Sequence, residues 1–103
     1  MELNIKPLSV NCAWQGRRFK SPAYKVYENS MMYLLPKIDI PDAPYKLFIE
    51  FSITTLSDID NPLKPFLDCL QKKYGINDRD IIELHVKKKV VKKGHEKINF
   101  YFY

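Results

Sequence analysis

Asp58 and Asp60, separated only by Ile59 and followed by Asn61 and Lys64, are the residues of this chain best suited to chemistry on a phosphate. Both carboxylates are hard oxygen donors of the kind Mg²⁺ takes, and two anions this close repel until a cation joins them. Lys64 lies four residues after Asp60, roughly one helical turn, so its ammonium group can reach the same phosphate or the leaving oxygen. Asn61 can position a water or a phosphate oxygen. A second acid-rich turn runs from Asn77 to Asp80. The same residues also suit a structural role: Asp and Asn before a helix cap its free amides, and Lys64 can pair with Asp60 or Asp68. Spacing alone leaves both open.

The charge balance favours a phosphate partner. Seventeen Lys and Arg against twelve Asp and Glu leave +5 on 103 residues. A basic surface collects a nucleic-acid backbone by counterion release, while a few clustered acids hold the cation that cuts it. Asn11, Trp14, Gln15, Arg17, Arg18 and Lys20 place donors, one aromatic face and three cations in a short N-terminal stretch suited to backbone contact and base stacking. A solvated basic loop with Trp14 plugging the core is the alternative. The candidate DNA contacts are Asn11, Arg17, Arg18, Lys20, Lys25 and Asn61, with the lysine run Lys87, Lys88, Lys89, Lys92 and Lys93 as either a DNA arm or a solvated strand edge. His85 and His95 lie apart from the acids and read as surface residues.

The elements that must hold these groups follow from periodicity. Leu3 to Ile5 is a short strand ended by Pro7. Ser21 before Pro22 starts a helix to about Leu35, with Tyr24, Tyr27, Met31 and Leu34 on its core face and Lys25 and Glu28 pointing elsewhere. Pro36, Pro41 and Pro44 break the chain. Leu47, Ile49, Phe51 and Ile53 alternate as a strand that delivers the chain to Asp58. Leu63, Phe66, Leu67 and Leu70 follow helical spacing from Asn61, a candidate cap, to about Lys73. Ile82, Leu84 and Val86, then Ile98, Phe100 and Phe102, mark two strands. The turn Lys92-Lys93-Gly94-His95 between them predicts an antiparallel hairpin. The expected fold is thus α+β, a single small domain over residues 1–103 in the order β-α-β-α-β-β, with a mixed sheet and a C-terminal antiparallel hairpin.

Composition excludes several classes. Cys12 and Cys69 are distant from each other and have no ligand at zinc spacing, so they read as reduced, packed thiols. No secretion signal is visible, and no apolar run approaches the roughly 20 residues that span a bilayer. A soluble, cytoplasmic protein with no membrane partner and no small-molecule substrate is expected. A domain this small buries only about 65% of its unfolded surface, which makes self-association a natural supplement.

At its acids the sequence resembles the RusA-type Holliday-junction endodeoxyribonucleases. The resemblance covers most of the chain and is carried by Asp58-Ile-Asp60-Asn61-Pro-Leu-Lys64, by Phe66-Leu-Asp68-Cys-Leu, and by Asn77-Asp78 followed by Ile81-Ile82-Glu83. It extends more weakly to Asn11–Tyr24, where Gln15 stands in place of the Arg of many relatives. It implies that Asp58, Asp60 and Asp78 are Mg²⁺-binding catalytic acids, with Asp80 the other candidate for the third, that Lys64 is the catalytic lysine, and that the protein is a DNA-binding homodimer. The implied activity is Mg²⁺-dependent resolution of four-way junctions by paired cuts in recombination and repair. A basic module that binds branched DNA without cutting, or a metal-dependent nuclease for flaps or plain duplex, would share much of this sequence.

The implied third acid raises a question of reach. A helix from Asn61 to Lys73 is about 20 Å long, and Asp78 lies beyond its far end. Five further residues span at most about 17 Å, so a return to Asp58 within one subunit needs a nearly straight path. A partner's Asp78 is the easier donor, and the expectation is a metal site shared across a two-fold axis.

Overall fold

The structure is a computed structural model and describes residues 1–9, 14–15, 19–54 and 58–103, with the side chains of 14, 15, 19 and 20 left aside. Its elements are β1 (Glu2–Leu3), β2 (Trp14–Gln15), β3 (Phe19–Lys20), α1 (Pro22–Leu34), β4 (Tyr45–Ile53), α2 (Leu63–Tyr74), a 3-10 turn (Asp78–Asp80), β5 (Ile81–Val90) and β6 (Lys97–Phe102). Two helices and a mixed four-stranded sheet of order β1-β6-β4-β5 make a small α+β domain, with β2 and β3 paired separately.

β4 takes the centre because it carries the longest row of buried apolar residues. Leu47, Ile49 and Phe51 are each 0% exposed, and they pack with Phe66, Cys69 and Leu70 of α2 and Tyr27 and Met31 of α1. Phe66 meets Phe51 and Phe100 edge-on, at centroid distances of 5.9 and 5.5 Å. One sheet face is therefore the core. The other carries Phe48 stacked on Tyr101 at 4.8 Å.

The expected C-terminal hairpin is not formed. β5 and β6 lie on opposite sides of β4, β5 parallel to it and β6 antiparallel. Helix α2 is the crossover that makes β4 and β5 parallel neighbours, as parallel pairing requires. The segment 91–96 need only step over one strand, about 10 Å, well within the reach of six extended residues. Alternating strands and a turn cannot distinguish pairing from flanking, and the centre goes to the strand that buries more.

Helix α1 begins as its sequence dictates, the Tyr24 amide donating to Ser21 Oγ at 3.1 Å with Pro22 in the first turn. Its far end differs from expectation. Leu34 is 39% exposed and Leu35, just past the helix, is buried in its place. Glu28 does not point away: it is buried on the Tyr24 side and receives a hydrogen bond from Lys72 Nζ at 2.7 Å, which ties α1 to α2. Helix α2 starts later than read, at Leu63, with Pro62 rather than Asn61 at the cap position and no side-chain cap. It ends at Gly75, whose φ of 69° is left-handed backbone that glycine adopts without strain. Cys69 is a buried thiol as read, and Cys12 lies outside the described residues. Among the described residues no helix is long and apolar enough to cross a membrane.

Candidate metal and DNA site

Asp58 and Asp60 sit on the turn that leads from the end of β4 into α2. Asn61 N donates to the Asp58 carbonyl and Leu63 N to the Asp60 carbonyl, both at 3.1 Å, so two successive turns hold the backbone between the acids. Both side chains are exposed and Asn61 is half-buried. Lys64 follows in the first turn of α2, mostly exposed, with Nζ 3.4 Å from Asp68 Oδ1 one helical turn on. Of the two partners that spacing allowed, the helix selects Asp68. Tyr24 Oη donates to the other oxygen, Asp68 Oδ2, at 3.1 Å. The Tyr24 phenol is pushed far above its ordinary pKa, first by burial and then by the Asp68 charge.

Asp78 lies at the opposite end of the domain. It opens the 3-10 turn, exposed, and its amide donates to Gln71 Oε1 at 3.3 Å. Asn77 fixes the turn by accepting from Arg79 N through its side chain, at 3.1 Å, and from Asp80 N through its carbonyl, at 3.0 Å. Ile81 pairs with Tyr45 and Val90 with Ile53, so the Asp78 turn enters the sheet where β4 begins, whereas Asp58 follows where β4 ends. Nine residues of β4 separate the two acid groups, about 26 Å at strand rise.

Accordingly, no group of three or more His, Cys, Asp or Glu side chains that could hold a metal exists among the described residues. The donor chemistry of Asp58 and Asp60 fits a hard divalent ion such as Mg²⁺, which one or two carboxylates hold together with waters and phosphate oxygens; among the described residues no third acid stands beside them. Asp80 shares the turn with Asp78 and is equally remote from Asp58.

The basic residues divide by location. Asn11, Arg17 and Arg18 lie outside the described residues, and Lys20 is in β3. Lys25 is exposed on α1. Lys87, Lys88 and Lys89 lie exposed on β5, and Lys92 and Lys93 on the turn that follows.

Two features escaped the sequence reading. The Glu28–Lys72 pair spans 44 residues and has no local signal. The sheet face opposite the helices gathers Phe48, His85, Tyr101 and Tyr103, with Tyr101 and Tyr103 about half exposed. Strand alternation could have signalled that face. Glu83 lies within it: hydrogen bonds from the His85 ring, 3.1 Å away, and from Tyr103, with Lys46 nearby, hold its carboxyl below the usual range.

No family model matches the sequence, and no curated protein matches it significantly.

Proposed function

We propose that this protein is a Mg²⁺-dependent endodeoxyribonuclease of the RusA type that resolves four-way DNA junctions as a homodimer. The observation that carries the reading is the turn 58–61 followed by Lys64: two exposed carboxylates and a cation one helical turn away, at the N-terminal end of a helix and at the end of the most buried strand. The packed helix α2 begins just after this group and carries Lys64 in its first turn, the kind of firm support a cutting site requires.

Asp58 and Asp60 are the residues that would hold the ion, with Asp78 supplied by the partner because in its own chain the Asp78 turn lies at the other end of β4. A magnesium ion there supplies activation of the attacking water and neutralisation of charge on the phosphate. The protein's own contribution is positional. Lys64, oriented by Asp68, presents its ammonium to the scissile phosphate or the leaving oxygen. The amides at the start of α2 add a positive end to the site. Lys25 and the lysines of β5 and its following turn hold the backbone by charge, so affinity falls steeply with salt. A junction has approximate two-fold symmetry, and two symmetry-related sites can make the paired cuts that resolve it.

The test is cleavage of a synthetic four-way junction beside linear duplex and flap controls, with Mg²⁺ or EDTA, by wild type and Asp60→Asn. Paired, Mg²⁺-dependent nicks confined to the junction and lost in Asp60→Asn support the reading. Tight junction binding without cutting by wild type moves the protein to a non-catalytic DNA-binding module.

A further inference from the structure

The sheet face opposite the helices carries its rings in an ordered array. Strand register sets His85, Phe48 and Tyr101 in one row across β5, β4 and β6. Tyr103 stands in the neighbouring row, its amide donating to the Lys46 carbonyl at 3.0 Å. The rings touch in sequence: Phe48 stacks on Tyr101 at 4.8 Å, Tyr101 meets Tyr103 at 6.1 Å, and Tyr103 meets His85 at 5.9 Å. Yet Tyr101 is 45% exposed and Tyr103 49%, and the His85 side chain is 59% exposed. A connected patch of half-exposed rings marks a surface that something flat can cover.

The charges around the rings narrow the occupant. By register, Lys46, Lys87, Lys89 and Lys97 share this face with Glu2, Glu50 and Glu83. The carboxylates already face cations or donors. Glu83 accepts from His85 and Tyr103 and lies 3.9 Å from Lys46, Glu2 pairs with Lys97 at 3.0 Å, and Glu50 stands opposite Lys87. Lys89 extends the basic row along β5, and Lys92 and Lys93 continue it on the turn. The face thus offers rings at one end and a line of ammonium groups leading away from them.

We propose that this face binds single-stranded nucleic acid, with unpaired bases stacked on Tyr101, Tyr103 and His85 and the backbone following Lys87 and Lys89. The site rests on no part of the nuclease reading. It also lies apart from the acid turn, because the row of rings crosses the first half of β4 and Asp58 follows the end of that strand. Only unpaired bases have a free face to give; in a duplex the bases stack on one another, and a duplex would meet the lysines alone. Aromatic side chains on adjacent strands of a four-stranded sheet can stack two or three bases in this way. A protein surface fits less well, since covering the rings would strip water from Glu83 and Lys46 among them.

Fluorescence anisotropy in EDTA tests the site with labelled oligo(dT) and oligo(U), beside a blunt duplex of the same length. The wild type should bind single strands more tightly than the duplex, and the tighter of the two single strands identifies DNA or RNA as the ligand. Tyr101→Ala should weaken single-strand binding by at least roughly fivefold, the lower end of what one stacked base contributes. Tyr101→Phe, which keeps the ring, and Tyr33→Ala, at a position 92% exposed on α1, should bind as wild type does. Photo-cross-linking of the wild type to an iodouracil-substituted strand gives a readout free of folding effects, with adducts expected on Tyr101, Tyr103 or His85. Equal affinity for duplex and single strand, adducts confined to other residues, or a folded Tyr101→Ala that binds as wild type overturns the proposal. So does a wild-type dimer that Tyr101→Ala splits into monomers in light scattering, which would assign this face to a second copy of the chain.

Discussion

Tyr24 Oη and Asp68 Oδ2 lie 3.1 Å apart, joining the first turn of α1 to the middle of α2 across 44 residues. The tyrosine is 1% exposed, and the other oxygen of Asp68 faces Lys64. A buried phenol thus fixes the carboxylate that orients the proposed catalytic lysine.

Tyr24→Phe should therefore cost about 1–2 kcal/mol, the scale of a partly buried hydrogen bond to a charged acceptor. It should also slow junction cleavage by loosening Lys64. Urea denaturation and single-turnover cutting check the two effects, and unchanged stability would remove the bond from the account.

Lys64→Ala should behave differently. Its pair with Asp68 is solvent-exposed, so the loss in stability should stay below about 0.5 kcal/mol, while the rate of cutting falls by at least about a hundredfold. Loss of folding instead would mean that Lys64 is structural.

Lys72→Met tests the cross-helix pair. Glu28 is buried, and removing Lys72, 2.7 Å away, takes this ion pair from its charge. Because Lys72 itself is half exposed, the expected cost is about 1–2 kcal/mol, less than for a fully buried pair. Lys72→Met/Glu28→Gln should recover part of it, and equal losses in the single and double variants would contradict the pairing.

Alkaline pH should destabilise the fold. Burial is the leading cause that raises the phenol pKa of Tyr24, Tyr27 and Tyr74 in the folded state. Their unfolded value is about 10. Above that pH the unfolded chain releases protons that the folded chain retains, so stability present below about pH 10 falls as pH rises further. Denaturation midpoints between pH 8 and pH 11 check the sign, and Tyr27→Phe should flatten the fall.

Much of the fold was legible because it depends on local patterns. Ser21-Pro22 marked the start of α1, and Leu47, Ile49 and Phe51 marked the buried face of β4. Strand neighbours were not legible. The turn at Lys92–His95 looks the same whether β5 and β6 pair or flank β4, and the choice depends on α2 acting as a crossover. Leu34 and Leu35 exchanged roles for a similar reason, since helical spacing from Met31 allows either three or four residues. For the site, spacing placed Asp58, Asp60 and Lys64 on one turn and helix start. Helix length already set Asp78 far along the chain from Asp58, and the parallel pairing of β4 with β5 places the Asp78 turn at the start of β4.

The most direct measurement is cleavage of a four-way junction by a mixture of two variants, Asp60→Asn and Asp78→Asn, after subunit exchange, beside wild type and each variant alone. Wild type should make paired Mg²⁺-dependent nicks and each variant none. The mixture should regain a single nick, because one site of the mixed dimer then combines an intact Asp60 with an intact partner Asp78. A wild type that leaves the junction uncut contradicts the nuclease reading; a wild type that cuts, with mixed dimers formed and inert, contradicts the shared site.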